Sequence, residues 1–237
     1  MLLHYLLAPF LILLICVTSS AAQSYDFPRP LAVANGSPVA AVFGIPKAHG
    51  TDMLGRGNTD LDLSVDLASD FNISRTANES IILDGETARV ALAARYGIND
   101  SWNVGVELPW VRHGGGSLDG FIVNWHDFWG FPQHGRDTAP RDRIDFRYTR
   151  DGSTLIKVDS TTEGPGDIVL SAQRRLMRRD GAAAVFDTQL KLPTGDPYKL
   201  TGSGAVDAGA GLELSRRWRK RWFSSFHAGV AYLGDGD

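Results

Sequence analysis

Between Thr59 and Leu67 every second residue, Thr59, Leu61, Leu63, Val65 and Leu67, is apolar or carries a methyl group, and Asp60, Asp62, Ser64 and Asp66 stand between them. A period of two sorts side chains onto the two faces of an extended strand, whereas a helix would spread those three aspartates around its surface. The segment therefore reads as a strand with one apolar and one polar face. The pattern recurs down the chain. Ala88, Val90, Leu92, Ala94 and Tyr96 alternate with Arg89 and Arg95; Trp102, Val104, Val106, Leu108 and Trp110 with Asn103, Gly105 and Glu107. Ile144, Phe146 and Tyr148 alternate with Arg143, Asp145 and Arg147; Ile168, Leu170 and Ala172 with Asp167, Ser171 and Gln173. Ala184, Phe186, Leu190 and Leu192 alternate with Asp187, Gln189 and Lys191, and Val206 to Leu214 with Asp207, Gly209 and Glu213. Trp222, Phe226, Ala228, Val230 and Tyr232 close the series, and Leu155 to Val158 adds a short strand across the Arg150-Asp151-Gly152 turn.

Consecutive strands of this kind form an antiparallel up-and-down sheet. Its connections come in two lengths: tight turns at Asn99-Asp100, Arg179-Asp180-Gly181 and 216–221, and long Gly- or Pro-rich loops at 111–141 and 193–205. Tight turns at one end and long loops at the other are the pattern of a membrane barrel. Alternation alone does not separate such a barrel from a soluble sandwich, because both have one apolar and one polar face. Aromatics at strand ends (Tyr96, Trp102, Trp110, Tyr148, Trp222, Tyr232) and strands of about ten residues favour a tilted span with an aromatic girdle. The single cysteine, Cys16, excludes a disulfide framework of the kind that holds many exported domains. The expected fold is all-β: an antiparallel up-and-down transmembrane β-barrel with one short helix in a long loop.

Three regions follow. Residues 1–22 read as a signal peptide, with an apolar run from Leu6 to Val17 and small residues at Ser20 and Ala22 before the expected cut. The run is too short for a helix that crosses a bilayer. Residues 23–58 read as an extended N-terminal segment without periodicity, and 59–237 as the barrel domain, expected to be incomplete at its C-terminus because Leu233-Gly234-Asp235-Gly236-Asp237 reads as a turn.

Two groups of residues are candidates for function. In the long loop, Leu118, Phe121, Ile122, Trp125, Phe128 and Trp129 fall on one face of a helix, interleaved with Asp119, His126 and Asp127. Such a helix either folds into the barrel mouth, packs its aromatics on the rim, or lies at a membrane interface. Its mouth candidates are Asp119, Phe121, Trp125, His126, Asp127 and Trp129. The second group faces the expected lumen: Arg89, Arg95, Glu107, Arg143, Arg147, Asp187 and Lys191, with Asp167, Asp207 and Glu213 beside them. Both signs are present, which fits ion pairs along the wall better than a charge-selective ring.

Other chemistry finds little support. The histidines and aspartates of 113–141 lack tight ligand spacing, so no metal is expected. Ser117, His126 and Asp127 are the residue types of a rim-located lipid hydrolase, but no motif fixes their geometry, and no enzyme is expected. Gly114-Gly115-Gly116 and Gly164-Pro165-Gly166 lack the context of phosphate loops, so no cofactor is expected. A net charge of -3 offers no basic footprint for nucleic acid.

From Asp84 to Asp207 the chain carries an ordered set of short motifs: Asp84-Gly85-Glu86, Arg95-Tyr96-Gly97-Ile98, Trp102 to Pro109, Leu118-Asp119-Gly120-Phe121, Trp125-His126-Asp127-Phe128 and Gly135-Arg136-Asp137. Ala139 to Arg143, Gly164-Pro165-Gly166-Asp167, Lys191 to Asp196 and Thr201-Gly202-Ser203-Gly204 follow. This set resembles a bacterial domain-of-unknown-function family of exported proteins of barrel size. The last three motifs also resemble proteins related to phenol meta-degradation pathway transporters. The resemblance covers about half of the chain and implies a barrel in the bacterial outer membrane, without an activity or catalytic residues. The function expected is a passive channel or transporter-like barrel for small solutes in contact with the lipid bilayer. The alternatives are a plugged structural or docking barrel and, more remotely, the hydrolase.

Overall fold

The computed structural model describes residues 27, 29–30, 35–219 and 222–235. The expected signal peptide and Cys16 lie outside them. Ten strands form one antiparallel sheet: β1 (Thr59–Arg75), β2 (Glu79–Asn99), β3 (Trp102–Gly114), β4 (Asp145–Arg150), β5 (Ser153–Val158), β6 (Thr162–Pro165), β7 (Ile168–Arg179), β8 (Ala182–Leu192), β9 (Asp207–Arg219) and β10 (Trp222–Tyr232). The helices are α1 (Pro38–Ala41) and α2 (Asp119–Trp129), with single 3₁₀ turns at Arg136–Thr138 and Pro197–Lys199.

The wall is a meander. β1 pairs with β2 along its whole length, from Thr59↔Tyr96 to Arg75↔Ser80. β2 then pairs with β3, β3 with β7, and β7, β8, β9 and β10 follow in order. The insertion between β3 and β7 prolongs the wall at the long-loop end: β4 pairs with the start of β2, β5 with β4, and β6 with the end of β3. Asp151-Gly152 and Asp180-Gly181 have positive φ at both residues, as two-residue hairpin turns that follow the strand twist require. Among the described residues β1 and β10 each pair on one side, and the sheet curls into a half-barrel.

The two faces are inverted relative to a soluble sheet. On the convex side Leu61, Leu63, Val65, Leu67, Leu190, Leu214, Phe226 and Val230 are exposed. On the concave side Asn103, Gln173, Asp187, Lys191, Asp207 and Glu213 are buried. The buried apolar cluster is small and sits inside the long-loop end: Leu83, Phe146, Val158 and Leu200, with Ile81, Ile144 and Ile156 packed on it. His113 meets the Phe146 ring edge-on at 5.6 Å and bonds Thr87 Oγ1 and the Leu200 carbonyl, both at 2.9 Å.

Several elements differ from the sequence reading. β1 and β2 run on to Arg75 and back from Glu79, joined by a tight turn at 76–78, and β6 is an additional strand. In β4 the faces are reversed: Phe146 pairs with Leu83 and is fully buried on the inside. The reason is location, since this short strand stands above the wall, where the mouth packs its own core.

Candidate functional site on the concave face

The extended segment, described without a break from Asn35, does not hang free. Residues 35–57 cross the concave face as a strap from the long-loop end to the tight-turn end. Having almost no ladder of its own, the strap relies on wall side chains to satisfy its backbone, because a buried unpaired N–H or C=O is costly.

At the long-loop end Lys191 Nζ is the hub. It donates to the Val42 carbonyl at 3.0 Å, to Asp167 Oδ2 at 2.8 Å and to Ser203 Oγ, and lies 3.0 Å from Asp207 Oδ2. Asp207 in turn accepts Gly44 N–H at 2.8 Å, and Gln189 donates to the Gly44 carbonyl at 2.7 Å. In mid-strap Lys47 reaches Glu107 at 2.9 Å, a carboxylate it shares with Arg89. Next Glu213 accepts His49 N–H and Gly50 N–H at 2.6 and 2.7 Å. At the tight-turn end Leu54 N–H donates to Asn103 Oδ1 and Asp52 pairs with Arg178 at 3.0 Å. Burial, with the Arg95 charge next, pulls the His49 imidazole down to about 4, so it is neutral at ordinary pH.

Glycines make this approach possible. A Cβ on Gly97 would stand 1.9 Å from the Gly55 carbonyl oxygen, and one on Gly209 would stand 2.7 Å from Pro46 Cγ. Between the strap and strands β1–β3 a cavity of about 610 Å3 remains, lined by Arg29, Asp62, Asp66, Arg89, Ala93 and Val106 among others. One further group on this face has the donor set for a metal: Asp187, Glu213 and His227.

Of the residues assigned to the lumen from sequence, Arg89, Arg95, Glu107, Asp187 and Lys191 lie on the concave face, joined by Asp167, Asp207 and Glu213. Arg89 pairs with Glu107, and Arg95 with Asp60 at 2.8 Å. Arg143 and Arg147 do not lie there. Arg143 binds Asp84 at 2.9 Å on the outer side, and Arg147 pairs with Asp145 at 3.0 Å, because β4 presents Phe146 to the inside instead.

The mouth candidates lie outside the barrel rather than in it. α2 is anchored to Phe71, Asp84 and Glu86, which share the outward parity of β1 and β2. Glu86 Oε1 accepts Ser117 N–H and Leu118 N–H at 2.9 and 2.5 Å. Arg136 lies over the Phe71 ring at 4.8 Å and pairs with both Asp84 and Asp119, while Asp142 N–H donates to Asp119 at 2.8 Å. Asp119 and Val123 form the buried face of α2. Phe121, Trp125, Phe128 and Trp129 point away, exposed and packed on one another, with the Phe121 and Trp125 rings stacked at 6.1 Å. His126 bonds the Pro132 carbonyl and Asp127 bonds Gln133, so neither meets Ser117, whose backbone is held by Glu86. No hydrolytic constellation forms among these three.

Sequence reasoning placed Lys191, Glu107, Asp207 and Glu213 on this face without the strap that they hold, and it missed His227 and the role of Asn103 and Gln173. One signal was present: inward-facing Gly97, Gly105, Gly209, Gly211 and Gly229 leave the wall thin where another chain segment comes close.

Fold and site together define a class: a half-barrel of antiparallel strands, polar within and apolar without, with an N-terminal strap across its concave face. More particularly, the chain belongs to the family described as "Protein of unknown function (DUF3187)", whose model matches residues 6–237. No curated protein and no solved structure matches the chain.

Proposed function

We propose that this chain forms an outer-membrane β-barrel through which small solutes pass, in a lumen narrowed by its own N-terminal strap. The observation that carries this reading is the inverted polarity of the wall. In water, a belt that leaves Val65 at 71 % and Val230 at 75 % exposure while carboxylates are buried inside is unfavourable. In hydrocarbon it is the stable arrangement, since ladder bonds satisfy the backbone and the apolar side chains meet lipid. From Trp222 to Tyr232 the strand extends about 33 Å at roughly 3.3 Å per residue, long enough to cross a tilted belt. Trp218 and Trp222 mark one border. At the other, the aromatic stripe of α2 begins just beyond the outward pair Leu67 and Ala88, at the depth of an interfacial anchor.

The expected result is that the full-length protein extracts with outer membranes and migrates as a heat-modifiable band; a protein that stays soluble without detergent overturns the reading. Liposome swelling with small sugars then tests passage. A second reading, a plugged barrel with a structural or docking role, is favoured by the strap's many bonds to the wall. Flux that arises only after deletion of residues 36–50 supports the plug. Flux through the intact protein supports the conduit. No catalytic step belongs to either.

A further inference from the structure

We propose that Asp187, Glu213 and His227 bind one divalent transition-metal cation, zinc by the chemistry of the ligands, on the concave face beneath the strap. The three side chains come from adjacent strands β8, β9 and β10, and one ligand atom of each lies within 4.8 Å of the other two. Imidazole nitrogen with two carboxylate oxygens is a donor set that zinc accepts, with a fourth position for water.

Charge is the first argument. Most other carboxylates of this face have cations: Glu107 has Lys47 and Arg89, Asp60 has Arg95 and Arg29, and Asp167 and Asp207 share Lys191, while the lone Asp70 has only Ser37. Asp187 and Glu213 are 3 % and 2 % exposed, and neither has a Lys or Arg partner among the described residues. Two buried carboxylates side by side without a fixed cation are costly, and a divalent ion offsets both.

Geometry is the second. Asp187 Oδ2 and His227 Nε2 are buried and make no hydrogen bond, although they stand 3.5 Å apart. That separation matches the edge of about 3.4 Å between two ligands of a tetrahedral ion with bonds of roughly 2.1 Å. Both atoms converge on the space over Gly211. A Cβ built there would lie 2.5 Å from His227 Nε2 and 2.6 Å from Asp187 Oδ2. Glu213 oxygens accept strap N–H groups and each keeps a second lone pair, so the cation would be joined through Glu213 to His49 and Gly50. The site therefore ties metal occupancy to the seating of the strap.

The experiment uses the full-length protein in detergent, stripped with chelator and titrated with Zn2+ alone by calorimetry, with Co2+ absorption reporting the ligand field. One saturable site is expected. His227→Gln and Asp187→Asn should each weaken it by roughly 100-fold or more, exceeding the usual loss from an outer-shell change. Gly211→Ala keeps all three ligands, places a methyl group where they converge, and should also weaken binding. Folding of each variant is checked by its heat-modifiable band. Zinc should also slow proteolysis of the strap in the wild-type protein only. Binding that is absent, or equally tight in all three folded variants, overturns the site.

Discussion

Two segments without strand structure meet the same sheet and are treated in opposite ways. The strap, 35–57, goes to the concave face and is bound through its backbone, by Lys191, Gln189, Asp207, Glu213 and Asn103. The mouth loop, 115–144, goes to the convex side and is bound mostly through side chains, by the Asp84, Arg136, Asp119 and Arg143 cluster. The strap's partners stand at inward positions of their strands, the loop's at outward ones. Strand parity thus decides where a segment docks, and the chemistry of the docked segment decides how. A chain with almost no ladder of its own needs donors and acceptors for its amides. A loop closed by a helix with its own hydrogen bonds needs only an anchor.

The comparison breaks most visibly at Arg136. Its guanidinium joins Asp84 and Asp119, which are 0 % and 1 % exposed. Arg136→Ala leaves two buried carboxylates, with Arg143 still beside only Asp84, and removal of one partner from a buried pair costs about 3–5 kcal/mol. The loop should become sensitive to protease while the barrel keeps its heat-modifiable band. If 115–144 stays resistant, the cluster is not what holds it.

The counterpart on the strap is Lys191→Met, which keeps the length of the side chain but deserts Asp167 and Asp207. A loss of roughly 3 kcal/mol is expected, a little below the first because backbone N–H groups still serve both carboxylates. Denaturant unfolding in detergent measures it, and cleavage should appear within 35–57 and not in the loop. Cleavage in both segments at once would mean that they are not independent.

Much of this was legible and some was not, for identifiable reasons. Alternation from Thr59 to Tyr232 marks the strands because a wall with unlike faces imposes period two on every strand. It shows that the faces differ but not which is inside, so Phe146, placed with the outward residues by pattern, turns out to be the buried centre of the mouth. The 3.6-residue period of α2 likewise marks an aromatic face without saying what it meets, and its aromatics point away from the protein. The strap left no periodic trace, because its amides are satisfied by side chains far along the sequence. His227 belongs to no motif in the sequence, and only the pairing of β8, β9 and β10 brings it to Asp187 and Glu213.

Exposed aromatics sharpen the contrast between what holds the loop and what the loop contacts. Phe128 and Trp125 are 77 % and 49 % exposed and touch mainly their own neighbours on α2. Phe128→Ser with Trp125→Ser should change stability in detergent by no more than about 0.5 kcal/mol per site, as for surface substitutions. If the stripe is the interfacial anchor proposed above, insertion into lipid vesicles should slow. Equal insertion rates would mean that the stripe does not meet the membrane.

The smallest effect is expected at His126, which separates the loop's anchoring from any chemistry at the rim. Its ring bonds the Pro132 carbonyl at 3.2 Å, packs edge-on against Phe131, and is only partly covered. A single partly solvated hydrogen bond contributes about 1 kcal/mol or less. His126→Ala should therefore leave folding, loop protection and solute flux close to wild type. Asp127 is turned toward Gln133, and the Ser117 backbone is held by Glu86 at the other end of the helix, so neither is joined to the ring. A large loss of any lipid-cleaving activity in His126→Ala, with the loop still resistant to protease, would contradict this placement.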